Sequence, residues 1–200
     1  PQRELGNFPN LSDNKRPFAT RAMLHQSMTT MRAIDIHSHI VPEQFPAYTG
    51  VGRNIPWPSM APAHACHSHV MIDGKIYRTV HQSCWLAQDR IDDMDRHAIG
   101  VQCLSAMPEL LSYWLPLADA QAMLRFLNDE IADMVARFPQ RFVGLGAVPL
   151  QDMDAALREL DYVLDELEFP GVEIASHVNG VSIGDPRFER CIHCDLGCSR

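Results

Sequence analysis

The chain lacks an excess of positive charge, a long apolar run and a dense set of cysteines, and each absence excludes a class of protein. A formal net charge of −8 argues against a nucleic-acid partner, because binding a phosphate backbone depends on clustered Lys and Arg. No run approaches the roughly 18 apolar residues of a membrane-spanning helix. Six cysteines in 200 residues are too dilute for a disulfide scaffold, and no apolar segment typical of export signals opens the chain. We expect a reduced, cytoplasmic protein that acts on a small molecule, without a nucleic-acid or membrane partner.

The composition that remains is that of an ordinary globular domain. Hydrophobic residues make up 46% of the chain and charged residues 21%, which is enough apolar material for one sizeable core. Residues 1–30 are polar and aperiodic, so we expect them to form a disordered extension. Met31 directly precedes a clear strand pattern, which places the domain over residues 31–190 and leaves residues 191–200 as a tail.

Strand patterns and helical stripes alternate along the domain. Apolar residues alternate over residues 32–36 and then run into a loop at Pro42, as in a first strand. Three helical stripes follow, each succeeded by an apolar strand pattern: helices over residues 85–97, 118–138 and 152–167, and strands over residues 101–107, 142–148 and 172–177. Strict alternation implies a parallel sheet, because parallel neighbours need crossover helices.

A parallel sheet of this kind is either open and doubly wound or closed into a barrel. The dinucleotide-binding pattern G-x-G-x-x-G follows none of the strands, and Gly144-Leu145-Gly146 lies inside one. We therefore expect an α/β chain of the (β/α)₈ TIM-barrel type. Such a barrel takes about 250 residues, so we expect only its first four β/α units here, in a chain that is cut short. Asp73-Gly74 predicts a β-hairpin insertion after the first strand.

His37 and His39 are the candidate metal ligands. Because successive side chains of a strand point to opposite faces, Asp35, His37 and His39 share one face at the carboxyl end of the first strand. Barrel active sites are built at this end, and imidazole is a good ligand for Zn²⁺. A second H-x-H triplet, His67-Ser68-His69, follows no buried strand, so we do not expect it in the active site.

Six ordered segments carry a family resemblance: Ile34-Asp35-Ile36-His37-Ser38-His39-Ile40-Val41-Pro42, Asp73-Gly74-Lys75-Ile76-Tyr77-Arg78, Cys84-Trp85, Arg90-Ile91-Asp92-Asp93-Met94-Asp95, Arg141-Phe142-Val143-Gly144-Leu145-Gly146 and Phe169-Pro170-Gly171-Val172-Glu173-Ile174-Ala175-Ser176-His177-Val178-Asn179. Together they resemble the aminocarboxymuconate-semialdehyde decarboxylase branch of the amidohydrolase superfamily. The histidine pair alone would indicate only the superfamily, whereas six matches in order are specific to the branch.

The resemblance implies a zinc enzyme that removes CO₂ non-oxidatively from a carboxylated semialdehyde in kynurenine or related aromatic catabolism, and a possible homodimer in the full-length form. It assigns His37 and His39 to the first two metal positions and Arg78 to a substrate carboxylate, which a planar guanidinium can bind with two hydrogen bonds. Ile72 stands where the branch often has lysine, which leaves the substrate open. Another metal histidine, a catalytic histidine and a metal aspartate come from strands beyond the fourth.

Several alternatives stay open on the sequence alone. The chain could be a metal-dependent hydrolase of the same superfamily, or a catalytically inactive fragment that binds zinc weakly. The spacing of Cys191, Cys194 and Cys198 suits a metal knuckle, but a truncated or altered reading frame explains this tail more simply. His177 is expected at the end of the fourth strand, facing the pocket, without a catalytic role.

Overall fold

The computed structural model describes residues 33–52 and 54–194, with side chains up to Cys191. In chain order the elements are β1 (Ala33–Ile40), β2 (Ser59–Pro62), β3 (His67–Ile72), β4 (Lys75–His81), α1 (Ala87–Arg96), β5 (Ile99–Ala106), α2 (Leu117–Arg137), β6 (Phe142–Gly144), α3 (Met153–Asp161), β7 (His177–Val178), β8 (Val181–Ser182) and α4 (Glu189–Cys194). Short 3₁₀ helices at Gln82–Cys84, Pro108–Leu110 and Pro186–Phe188 lie between them.

Strands β1, β5 and β6 form one parallel sheet in that order. Helix α1 connects the first two strands and α2 connects the next two, so the alternation of the sequence is reproduced. Ile40, Leu104 and Phe142 are at most 1% exposed and share an apolar cluster with Ile91 of α1 and Ile131 of α2. This burial is what the helical and strand periodicities predict. The α/β class with a parallel sheet is confirmed.

The prediction of a fourth strand over residues 172–177 is wrong, because this segment does not form a regular strand. Only Val172 makes a parallel bridge, to Gly146, with backbone hydrogen bonds of 2.8 and 3.0 Å around it. β6 likewise stops at Gly144, earlier than predicted. The cause is close packing over glycine: a Cβ on Gly144 would lie 2.5 Å from the Phe169 ring, and alternate glycines weaken a strand.

A second, antiparallel sheet lies between β1 and α1 in the chain. β3 and β4 form a hairpin whose turn is Asp73-Gly74, and both residues have positive φ, +53° and +67°. A two-residue turn of this kind matches the twist of the strands. β2 pairs with β3 on the other side, which the sequence pattern did not indicate. Val70 is fully buried in a cluster with Val41 and Met107, so the hairpin packs on the carboxyl end of the parallel sheet.

The third helix changes its winding before it ends. α3 begins after Asp152, whose carboxylate accepts a hydrogen bond of 2.9 Å from the amide of Ala155. After Asp161 the chain continues in a wider π-helical turn, Tyr162–Glu166. The single helix predicted over residues 152–167 is therefore correct in position but not in hydrogen-bond pattern, since wider turns interrupt the i→i−4 ladder.

Two predictions lie wholly or partly outside the described residues. The extension over residues 1–30 is one, and the tail is the other: Cys191 and Cys194 belong to α4, whereas Cys198 falls in the undescribed residues 195–200. Across the part of the chain that the structure describes, no helix has both the length and the apolar character that crossing a membrane requires.

Asn128 joins α2 to the sheet and to α3. Its amide nitrogen donates to the Ala147 carbonyl and to Glu159 Oε1, each at 3.0 Å, and its oxygen accepts from the Ala147 amide at 2.8 Å. Glu159 also receives two hydrogen bonds from Arg125, at 2.8 and 3.0 Å. Asn128 is fully buried, so its loss would leave backbone groups of Ala147 unpaired.

We predict that Asn128→Ala lowers the free energy of unfolding by about 2 kcal/mol or more, because buried polar groups are left without partners. Asp133→Ala, at an exposed position of the same helix, serves as the control and should change it by less than about 0.5 kcal/mol. Urea unfolding followed by circular dichroism measures both. Equal effects of the two substitutions would contradict the role given to Asn128.

Candidate metal centre and active site

His37 and His39 lie near the carboxyl end of β1 with their rings together. The ring centroids are 4.9 Å apart and the ring planes meet at 87°. His37 is exposed and the His39 side chain is 26% exposed, so both rings remain accessible at the edge of the sheet. Two imidazoles this close can share one metal ion.

The strand that carries the pair is irregular. Asp35 pairs with Gln102 and Ser38 with Leu104, so β1 uses one more residue than β5 over this stretch. A bulge of this kind is common beside active sites, where it re-aims side chains. The simple two-residue period behind the prediction is therefore broken. Asp35 accepts hydrogen bonds from the His37 amide at 3.1 Å and from Gln102 Nε2 at 2.7 Å.

A buried arginine fixes the carboxyl end of β1. Arg90 of α1 is 8% exposed and donates to three acceptors: the His39 carbonyl at 2.8 Å, Gln102 Oε1 at 2.8 Å and the Ser83 carbonyl at 3.0 Å. Burial lowers the pKa of Arg90, whereas the nearby Cys84 thiol and the Asp35 carboxylate oppose the decrease. A guanidinium remains charged in proteins, so these acceptors compensate a buried charge.

Nδ1 of the His39 ring lies close to two polar side chains. Its Nδ1 lies 3.0 Å from Ser105 Oγ and 3.6 Å from Glu173 Oε2. Tyr113 lies nearby: burial raises its pKa to about 12, the Ala175 amide opposes the rise, and the charges of Cys191 and Glu173 add to it. The phenol therefore stays protonated at neutral pH.

Arg78 reaches the same edge of the sheet by way of the hairpin. Its guanidinium lies 3.9 Å from Glu109 Oε1, in the short helix that follows β5. The neighbouring Tyr77 hydroxyl donates to the same oxygen. The Arg78 side chain is 57% exposed, and the described contacts do not join it to either histidine. Its assignment to a substrate carboxylate stays a prediction.

A cavity of about 500 Å³ opens between the segment after β1 and the hairpin sheet. Trp85, Glu43 and His67 are among its lining residues, whereas His37 and His39 are not. His67 lies between two other imidazoles, with ring centroids 4.6 Å from His64 and 5.1 Å from His81.

Other residues that the sequence singled out lie elsewhere. His177 is exposed in the two-residue strand β7, which pairs with β8 rather than with the parallel sheet, and its Nδ1 lies 3.2 Å from Ser176 Oγ. Its expected place at the end of a fourth parallel strand is wrong, because that strand consists of one bridge.

The donor set fits part of a metal site. Within residues 33–52 and 54–194 no three His, Cys, Asp or Glu side chains are grouped so as to hold a metal ion. The pair of imidazoles supplies two ligands of the kind that catalytic zinc uses, and such sites take about three protein ligands. Sequence reasoning gave no role to Ser105, although a polar residue in an apolar run was a signal available in the sequence.

The chain is similar to proteins that are already known. The sequence profile described as Amidohydrolase matches residues 34–194. The 2-amino-3-carboxymuconate-6-semialdehyde decarboxylase of Dictyostelium discoideum is 36% identical over 162 residues, 79% of this chain and 45% of that protein. Its namesake in Caenorhabditis elegans is 34% identical over 63% of this chain and 31% of that protein. The chain thus spans less than half the length of these curated relatives, and the resemblance found in the six segments is confirmed.

Solved structures agree with these matches. A manganese-bound 5-carboxyvanillate decarboxylase from Novosphingobium aromaticivorans superposes with a TM-score of 0.52 and 30% identity, covering 54% of this chain and 31% of that chain. A structure described as amidohydrolase II reaches a TM-score of 0.56 at 19% identity, covering 82% of this chain and 46% of that chain. The second likeness concerns the fold alone.

We predict that Arg90→Met lowers the free energy of unfolding by about 3 kcal/mol, because three acceptors, of which the Gln102 side chain is buried, lose a charged donor. The matched control is Arg96→Met on the same helix, where an exposed guanidinium pairs with Asp93 at 2.9 Å and contributes less than about 1 kcal/mol. Urea unfolding measures the difference. A loss no larger than that of the control would contradict the anchoring role.

Proposed function

Since the chain belongs to the amidohydrolase family, we propose that it contributes the first part of the active site of a metal-dependent decarboxylase. The observation that carries the proposal is the pair of neighbouring imidazoles of His37 and His39, whose ring centroids lie 4.9 Å apart at the carboxyl edge of the parallel sheet. The names of the relatives support decarboxylation as the reaction. In the proposed reaction the substrate loses CO₂, and a proton takes the place of the lost carboxylate.

The proposed architecture is a (β/α)₈ barrel whose first strands are β1, β5 and β6. Two observations support it: the three strands are parallel and lie side by side in the order in which they occur in the chain, and a helix lies between each of them and the next strand of this sheet. In barrels the active site lies at the carboxyl ends of the strands, which is where His39 and the segment after β5 lie. The antiparallel sheet β2-β3-β4 is an insertion above that edge.

His37 and His39 are the residues that would hold the metal, and the family's further ligands are expected from later strands. We propose zinc, which favours imidazole, while the manganese in the Novosphingobium relative makes Mn²⁺ the second candidate. When bound, either ion supplies a positive charge that polarises the substrate. The protein's own contribution is to aim the rings, through the bulge in β1 and through Arg90.

We propose that the substrate is a carboxylated semialdehyde of the aminocarboxymuconate type, from tryptophan or aromatic catabolism. Arg78 suits one carboxylate of such a molecule, because its guanidinium is exposed and its contact with the Glu109 carboxylate is long, at 3.9 Å. A substrate carboxylate can replace Glu109 in that contact. Glu109 would then keep the hairpin in place through Tyr77.

A hydrolase of the same superfamily is the second candidate, favoured by the family's description. The third candidate is an inactive fragment that associates with complete subunits, because the described residues supply two metal ligands. A cytoplasmic location and a homodimeric full-length form belong to the proposal as well.

To test the reaction, we would incubate a full-length form that also carries the later barrel strands with Zn²⁺ or Mn²⁺, and residues 1–200 alone beside it, and measure CO₂ released from 2-amino-3-carboxymuconate-6-semialdehyde and, separately, hydrolysis of cyclic amides. The proposal predicts that the full-length form shows metal-dependent CO₂ release that chelation stops and that His39→Ala reduces by about 10²-fold or more. Residues 1–200 alone should show no turnover and bind zinc weakly, because the further ligands come from later strands. The control His69→Ala removes a partly buried histidine of β3, whose Nδ1 lies 2.9 Å from Thr79 Oγ1, and should leave the rate unchanged.

Hydrolysis without CO₂ release would overturn the decarboxylase in favour of the hydrolase. Failure of both reactions in the full-length form would overturn both enzyme candidates. Stoichiometric zinc binding with measurable CO₂ release by residues 1–200 alone would rule out the inactive fragment. CO₂ release that is insensitive to chelation would contradict the metal site.

For Arg78 the prediction concerns substrate binding. Arg78→Ala should raise KM by about 10-fold or more and Arg78→Lys by less, because an ammonium keeps the charge but loses the two-pronged geometry. Lys75→Ala, on the same strand and 83% exposed, is the control. Steady-state kinetics checks it, and an unchanged KM in Arg78→Ala would remove Arg78 from the site.

A further inference from the structure

Two side chains from distant parts of the chain face one nitrogen of His39. Ser105 belongs to β5, and its Oγ lies 3.0 Å from His39 Nδ1. Glu173 follows Val172, which bridges to Gly146, and its Oε2 lies 3.6 Å from the same nitrogen. A histidine that binds a metal commonly donates its other ring N–H to an acceptor of this kind.

Counting the protons around Ser105 determines which nitrogen of His39 carries the hydrogen. A serine hydroxyl has one proton, and Ser105 donates it to the Ser38 carbonyl at 3.2 Å. Its oxygen must therefore accept in the contact with His39. The donor in that contact is Nδ1–H, so in the neutral ring the lone pair lies on Nε2, the nitrogen left for a metal.

The Glu173 carboxylate favours the same arrangement. Oε2 is buried and has no hydrogen-bond partner among the described residues. Burying a carboxylate oxygen without compensation is costly. The His39 Nδ1–H group compensates the charge of this oxygen, because the positive hydrogen of the N–H bond points to the side on which Ser105 and Glu173 lie. The carboxylate in turn increases the basicity of the opposite nitrogen.

We propose that Ser105 and Glu173 are positioning residues that hold His39 in its Nδ1–H tautomer and leave Nε2 free to bind the metal. The part of this inference that concerns the metal rests on the proposed function. The tautomer does not, because it follows from contacts among the described residues alone. Neither Ser105 nor Glu173 touches the reacting atoms in this scheme; both act through His39.

Imidazole nitrogens can be observed directly in the full 200-residue chain. Long-range ¹H–¹⁵N correlation spectra at pH about 8, above the usual histidine pKa of about 6.5, distinguish a protonated ring nitrogen from one with a lone pair. His39→Gln assigns the His39 signals. The wild-type chain should show Nδ1–H at His39, whereas Ser105→Ala and Glu173→Leu should populate the Nε2–H form.

Glu173→Gln and Ser176→Ala complete the set. Glutamine keeps an oxygen that can accept a hydrogen bond but loses the charge. The His39 tautomer in Glu173→Gln should therefore remain closer to wild type than in Glu173→Leu. Ser176→Ala is the matched control, because it removes a hydroxyl 3.2 Å from Nδ1 of the exposed His177 and should leave His39 unchanged. Circular dichroism identifies any variant that has lost the fold.

Calorimetric titration with Zn²⁺ and Mn²⁺ gives the second readout. Ser105→Ala and Glu173→Leu should weaken binding by about 10- to 100-fold, and Glu173→Gln by less. Wild-type His39 protonated on Nε2, or a tautomer that none of the substitutions shifts, would overturn the proposal. Loss of binding in Glu173→Gln with an unchanged tautomer would make Glu173 a ligand and would likewise overturn it. The expected tautomers with weak metal binding in the wild type would support the inference, because the proposed site takes further ligands from later strands. A failed decarboxylation assay would contradict the proposed function alone.

Discussion

The arrangement of the candidate site depends on one buried cation. Arg90 carries a positive charge into the interface between α1 and the parallel sheet, where water cannot solvate it. Three oxygen atoms accept hydrogen bonds from the guanidinium and so compensate its charge: the His39 carbonyl, the Gln102 side-chain oxygen and the Ser83 carbonyl. Because an unpaired buried charge is so costly, α1, the two strands and the 3₁₀ helix Gln82–Cys84 must keep positions in which all three bonds exist. The backbone that carries the candidate ligands is thereby held by hydrogen bonds rather than by packing alone.

The apolar packing around this point determines how the insertion is mounted. The hairpin sheet presents Val70 and Val80 to a cluster that includes Val41 and Met107, at the carboxyl side of the parallel strands. Polar contacts from Tyr77 and Arg78 to Glu109 occur on the same side. The insertion is therefore joined to the sheet by both kinds of interaction, and it brings an exposed guanidinium to the edge at which the imidazoles lie.

The sequence predicted the elements whose periodicity reflects burial. Leu104 and Leu127 are fully buried, and the apolar patterns around them correctly indicated a strand and a helix. The fourth strand failed because an extended apolar pattern does not reveal whether a partner backbone lies within reach, and packing over Gly144 and Gly146 limits that contact to one bridge.

At the site, the convergence of His37 and His39 was predicted on a strict alternation that the bulge in β1 breaks. The structure nevertheless brings the two rings together. The polar neighbours of the His39 ring could not be predicted, since Ser105 lies 66 residues away in the sequence and is a neighbour only in the folded sheet. Polar residues inside an apolar strand, such as Gln102 and Ser105, are the signal that a search for such partners could use.

The bulge in β1 has a counterpart in β5, and the two cancel. Between Ala33 and Ile34 it is β5 that uses one more residue, Gly100, so the pairs before and after the irregular stretch keep the same offset. Removing one residue from a single strand would shift the register of the pairs between the two irregularities by one residue. Asp35 would then move to the opposite face of the sheet, and the exposed Ile34 and Ile36 would take the face that Asp35 leaves. The two strands therefore constrain each other's length: a codon gained or lost in one is compatible with the fold only with a matching change in the other.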